Sequence, residues 1–238
     1  TGSRRGISRK RTLEDMVQDD LSVALSRRYE RFTQRMQEND QNSAAEEFAR
    51  ACHYLRRSDL RLSNRTLMAF SEAWIELFWQ CRRHDMMLQA ARDAEALFGR
   101  NPEWTFAQGE ALFNLARFEE AQATLEPLTT EDFDDPMLFY LLACLAERRG
   151  EDEKARRLFQ TANRLDPENF LMPIDLTEEA AVEHYRHCLE ELPTAIQVHV
   201  RDLPIFVSPI PSDELLHAAG DSIDPLVMGL FQGQPLGA

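Results

Sequence analysis

Apolar residues recur every three or four positions along most of the chain, the spacing of helices that bury one face. Thr12 followed by Leu13, Glu14 and Asp15 is a helix start, its acids placed where the dipole favours them. Met16, Leu21, Leu25, Tyr29 and Phe32 then predict one long helix to about Gln37. Ser43 with Glu46 forms a capping box, and Phe48, Cys52 and Leu55 lie on one stripe of the helix it opens. A further helical hairpin is expected over 67–82 and 85–98, rich in Trp74, Phe78 and Trp79. Residues 177–192 predict another amphipathic helix, with Val182, Tyr185, Leu189 and Leu192 on one face and Pro193 as its stop. Beyond it the period changes. Ile196, Val198 and Val200 alternate strictly, residues 203–207 form a short apolar run, and 226–231 is a third candidate strand. Pro204, Pro209 and Pro211 confine such strands to a sheet edge.

Between the outer segments the pattern repeats after 34 residues. Pro102 aligns with Pro136, Phe106 with Tyr140, Gly109 with Ala143, Ala121 with Ala155, Leu125 with Phe159 and Leu128 with Ala162. Asn101–Pro102 and Asp135–Pro136 are both cap-then-proline starts, where the missing N–H of proline costs nothing. Gly150 marks a helix end, and Asp166–Pro167 closes the last clear unit. This period and these small and large positions resemble the tetratricopeptide repeat, over about residues 68–167. The hairpin over 67–98 matches the template poorly and reads as a degenerate repeat. The resemblance implies stacked helical hairpins that bury their apolar faces against each other and hold peptides rather than catalyse. The expected fold class is therefore mainly α, a helical-hairpin solenoid with a small C-terminal α+β segment. The domains are expected as a disordered basic arm over 1–12, helical repeats over 13–173 and an α+β unit over 174–238.

In tetratricopeptide proteins the first helix of each unit lines the binding groove. By register, the resemblance assigns Glu103, Phe106, Glu110, Phe113 and Asn114 from one repeat and Met137, Tyr140, Cys144, Glu147 and Arg148 from the next. Phe106, Phe113 and Tyr140 are equally suited to ordinary packing between helices. If they face the groove, it is aromatic with an acidic rim and suits an apolar or basic peptide. It lacks the lysines with which chaperone-binding relatives clamp an acidic C-terminus.

The passage from Leu192–Pro193 through Ile205–Phe206–Val207 and Pro209 to Gly229–Leu230–Phe231–Gln232–Gly233 resembles the front half of a small bacterial zincin-like metallopeptidase family. The resemblance covers about residues 177–237. It implies a later HExxH helix, with two zinc-binding histidines and a glutamate as general base. His53, His84, His184, His187, His199 and His217 are the chain's histidines, and none lies in HExxH. No catalytic residue carries over, and a zinc cofactor is expected only if a further half bearing HExxH exists. The sequence thus offers a scaffold attached to an incomplete or degenerate zincin-like domain, inactive as it stands. The alternatives are a truncated piece of a zinc metallopeptidase whose repeats recruit substrate, and a tail that merely caps the solenoid. His184, His187 and Cys188 offer another metal reading, but successive residues turn by roughly 100° about a helix, so His187 and Cys188 diverge.

Charge sharpens the partner. The 238 residues carry a net −14, while Arg4, Arg5, Arg9, Lys10 and Arg11 concentrate in an arm without acids. Removing those five leaves 22 basic against 41 acidic residues, a body of −19 that repels phosphate backbones and argues against nucleic acid. Cys52, Cys81, Cys144 and Cys188 show no CxxC pairing, as expected of free thiols in a reducing cytoplasm. The longest apolar run, 137–146, is too short to span a bilayer. Neither a glycine-rich phosphate loop nor a GxSxG elbow is present. Acid pairs such as Asp19–Asp20, Glu119–Glu120 and Asp134–Asp135 fit solvated helix faces and caps.

Overall fold

Apolar periodicity becomes a succession of antiparallel helices. The structure, a computed structural model, describes residues 23–38, 43, 47, 50–51, 64–174, 177–200, 207–208, 210–219 and 223–226. Its helices are α1 (Val23–Gln37), α2 (Asn64–Gln80), α3 (His84–Phe98), α4 (Pro102–Asn114), α5 (Phe118–Leu125), α6 (Pro136–Arg148), α7 (Asp152–Leu165), α8 (Glu178–Glu190), α9 (Thr194–Val200) and α10 (Asp213–Ala219). A 3-10 turn, Glu126–Thr130, extends α5. Ser43, Glu47, Arg50 and Ala51 are also helical, so Ser43 already belongs to the helix it was expected to cap. The basic arm, the start of the first helix, the stripe of Phe48, Cys52 and Leu55, the apolar run over 203–206 and the motif over 229–233 lie outside the described residues.

Consecutive helices pack as hairpins: α2 with α3, α4 with α5, and α6 with α7. The cap-then-proline starts are realised as expected. Asn101 accepts from the Glu103 N–H at 2.9 Å, Asp135 accepts from the Met137 N–H at 2.8 Å, and proline follows each cap. The turns inside the hairpins are superimposable in register. Arg82, Ala116 and Gly150 stand 34 residues apart and take φ of 56°, 55° and 70°. The next N–H reaches back five residues in each case, from Arg83 to Phe78, Arg117 to Leu112 and Glu151 to Ala146, at 2.9, 2.9 and 3.0 Å. This is one Schellman turn used three times. The poorly matching unit over 67–98 is therefore a repeat by backbone geometry.

The core runs through all three hairpins without a break. Trp74, Ile75, Phe78, Met87, Trp104, Leu112, Phe113, Leu125 and Leu128 are among its most buried side chains. Gly109 is needed for close approach: a Cβ there would stand 2.3 Å from a Leu125 methyl.

The first of the expected C-terminal strands is a helix instead, and the other two lie wholly or mostly outside the described residues. Ile196, Val198 and Val200 lie in helix α9, and no strand occurs among the described residues. The local reason is an end cap. The Gln197 amide donates to the carbonyls of Glu190 and Leu192 at 2.9 and 2.8 Å, and the Ile196 N–H reaches Pro193 at 2.8 Å. Alternation favours a strand only against a half-buried pleated surface. Ile196 and Val198 remain 47% and 55% exposed, and no such surface occurs among the described residues.

Candidate functional site

The first helices of the three hairpins, α2, α4 and α6, define the face expected to hold a ligand. The structure divides its assigned residues into three groups. Phe106 and Phe113 are core residues, 4% and 1% exposed, packed against Phe133 and Phe118 with ring centroids 5.4 and 5.5 Å apart. Glu110 is buried as well, and its carboxylate accepts from the Trp79 indole N–H at 2.7 Å, tying α2 to α4. Asn114 turns back on its own helix, donating to the Glu110 carbonyl at 2.9 Å. Glu103 and Met137 are half-buried beside their helix starts.

Tyr140, Cys144, Glu147 and Arg148 form the remaining group on α6. The Tyr140 ring is half-buried, edge-on to Phe159 and Phe170 at 5.4 and 5.6 Å. Burial pushes its hydroxyl up to about 12, helped by the nearby Cys144, Glu147 and Asp224. Cys144 is 8% exposed, and burial pushes its thiol up to about 12 as well, so it stays protonated and inert. Glu147 is raised from its ordinary value by partial burial and then by the charge of Asp152.

Arg148 is the most heavily engaged member. Its guanidinium lies 4.0 Å above the centre of the Phe118 ring, a cation–π stack that fixes its plane. From there it donates to the Pro211 carbonyl at 2.8 Å and to the Asp213 carboxylate at 2.6 Å. Only 9% of the side chain is exposed. At the other end of the face, Arg82 pairs with Asp224. Leu216, 2% exposed, and the buried Pro225 lie between or beside these contacts in the chain. A polypeptide segment of the chain itself is thus held by two arginines of the repeats.

Sequence reasoning named Trp79 only as an aromatic of the first hairpin and did not single out Arg82, because that hairpin matches the template poorly. Counting back 34 residues from Phe113 and Ala116 would have found both.

His184 and Cys188 approach to 3.8 Å on an exposed face, while His187 turns to Glu191 at 3.6 Å. Among the described residues no group of three His, Cys, Asp or Glu side chains is placed to hold an ion. No helix among them is long and apolar enough to cross a membrane.

No protein-family profile matches the chain, and no curated protein matches it. Solved structures of MamA are similar in part. One, from AMB-1, aligns over 71% of this chain and 85% of its own at 17% identity and a TM-score of 0.43. Another, from MSR-1, aligns over 61% of this chain and 98% of its own at 16% identity and a TM-score of 0.36.

Proposed function

We propose that the chain is a protein-interaction scaffold whose binding surface is the face formed by α2, α4 and α6. The observation that carries this reading is Arg148. It is oriented by an aromatic ring and bonds at once to a main-chain carbonyl and a carboxylate, which is how a groove reads polypeptide rather than a small metabolite. Tyr140, Glu147, Trp79 and Arg82 complete the surface, with Glu103 and Met137 at its margin. The buried Phe106, Phe113 and Glu110 shape it from beneath. The free thiols of Cys81, Cys144 and Cys188 suit a reducing compartment such as the cytoplasm.

The acidic rim that pointed to a basic or apolar partner is thinner than the sequence suggested. Glu110 is spent on Trp79, so the charges nearest the bound segment are those of Arg148 and Arg82. The alternative, a piece of a zinc metallopeptidase whose repeats recruit substrate, would take its HExxH from a further half, since none of the six histidines here lies in that motif.

The test is selection of random peptides displayed on phage against the full chain, repeated on Arg148→Glu. A shared motif enriched on the first and lost on the second is expected. Enrichment no better than on an unrelated protein, or unchanged by the substitution, would overturn the scaffold reading at this face.

A further inference from the structure

The tail that meets Arg148 and Arg82 has a composition of its own. Asp213 and Asp224 bring carboxylates to the two arginines, Pro211 brings a carbonyl, and Leu216 brings a side chain that leaves water almost completely. Asp224 also lies near enough to the Tyr140 hydroxyl to raise it. A helix dipole does not explain these contacts, because each is made by a specific repeat side chain. Arg148 is pre-stacked on Phe118, and Arg82 projects from a left-handed turn residue where the third hairpin carries glycine. The body's strong negative charge makes it costly to bring further acids close, unless cations are already there to receive them. Acids are nevertheless what the tail delivers.

We propose that the stretches at residues 210–219 and 223–226 act as a built-in ligand that closes the first-helix face through Pro211, Asp213 and Asp224, and that the partner is a protein carrying an acidic segment able to replace them at Arg148 and Arg82. This rests on the scaffold reading and names its ligand class and its regulation. A tethered segment competes intramolecularly, at an effective concentration set by the length and stiffness of its connection, which here includes helices α8 and α9. A partner therefore meets an apparent affinity lowered by the fraction of molecules whose face is open. Charge reversal at the tail removes that competition without altering the face. High salt weakens the ionic contacts of tail and partner alike.

The probe is a fluorescein-labelled synthetic peptide of residues 207–226, titrated by anisotropy against the full chain and against Asp213→Lys/Asp224→Lys. Asp213 is 64% exposed, so its replacement leaves the core intact. We expect at least about tenfold tighter binding to the double variant, matching a face that is open about a tenth of the time in the parent. Adding Arg148→Glu to the double variant should abolish binding, and a peptide with Asn at positions 213 and 224 should bind neither form. Hydrogen exchange should show residues 213–219 opening faster in the double variant, with 102–165 unchanged. Equal affinity for both forms would overturn the closure. Equal binding of the Asn peptide would overturn acidic recognition, and binding to neither form would overturn the built-in ligand. None of these three outcomes touches the scaffold reading, which the displayed library decides.

Discussion

The regular hairpins and the helices that follow them start from similar patterns and end differently. Helices α4–α7 bury Trp104, Leu112, Leu125, Leu142, Ala155 and Phe159 almost completely. Helix α8 also carries an apolar stripe, Val182, Tyr185 and Leu189, yet neither α8 nor α9 buries a single residue. Both helices form, and Thr177 caps α8 through the Ala180 N–H at 3.3 Å. Periodicity therefore specifies a helix with an apolar face. What covers that face depends on a neighbour delivered at the right spacing, and the 34-residue repeat delivers one only as far as α7.

The largest test of this contrast is truncation of one aromatic in each region. Trp104→Ala removes a 2% exposed side chain from the shared core and should cost about 3–5 kcal/mol in urea unfolding. Tyr185→Ala on the half-buried stripe of α8 should cost under about 1 kcal/mol, nearer the effect of a surface substitution. Equal losses would mean that α8 belongs to the same cooperative unit and would end the comparison.

A second contrast lies inside the repeats. Gly109 stands against Leu125, small on the first helix and large on the second, and Ala143 with Phe159 repeats the arrangement. In the first hairpin the same register positions hold Ile75 and Ala91, both fully buried, so the volume has changed sides. Gly109→Ile alone should destabilise by about 1–3 kcal/mol through overpacking against Leu125. Combined with Leu125→Ala it should regain part of that loss, a coupling of about 0.5–3 kcal/mol in a double-mutant cycle. Strict additivity would show that the two positions do not share one space.

That exchange of volume explains what was legible in the sequence and what was not. Caps, prolines and Gly150 act locally, so Asn101, Asp135 and the turn at Gly150 could be read one residue at a time. The first hairpin could not, because Ile75 violates the template and the compensation at Ala91 lies sixteen positions away. For that reason Trp79 was read only as an apolar residue of the hairpin, and Arg82 was not singled out, although they contact Glu110 and Asp224. Residues 196–200 misled through alternation, since the alternation itself does not show that they form a helix whose Gln197 caps α8. Assignment by register picked out Tyr140 and Arg148, which lie near Asp224 and against Pro211 and Asp213, but it could not separate them from the buried Phe106 and Phe113. Burial depends on what packs above, and the tail that meets Arg148 comes from 63 residues further along the chain.

The cysteines carry the contrast between the regions into chemistry. Cys188 on α8 is exposed and should react with iodoacetamide in the folded chain, whereas buried Cys144 should react only on unfolding. The same burial has a pH consequence. The Cys144 thiol is raised to about 12 when folded, above the ordinary value of about 8.5. Its contribution to stability is complete below the unfolded value and is lost as pH climbs towards 12, because the unfolded chain sheds its proton first. Tyr140, also raised to about 12, adds a weaker loss in the upper part of that range, since its ring keeps partial contact with solvent. Cys144→Ala should flatten the decline in urea midpoint above pH 9, and an unchanged slope would place the effect elsewhere.

The smallest effect discriminates best between turn and tail. Ala116 and Gly150 occupy the same left-handed turn position, and a Cβ at Gly150 would meet nothing within 4 Å. Gly150→Ala should therefore cost about 1 kcal/mol for backbone conformation alone, offset slightly by the stiffer unfolded chain. Ala116→Gly should gain up to about the same amount. Arg82→Gly relieves the identical turn but also removes the cation that pairs with Asp224. Its unfolding free energy should rise like that of Ala116→Gly while hydrogen exchange at residues 223–226 speeds up. If stability rose and exchange there did not change, Arg82 would be only a turn residue, and the tail would be held from the Arg148 end alone.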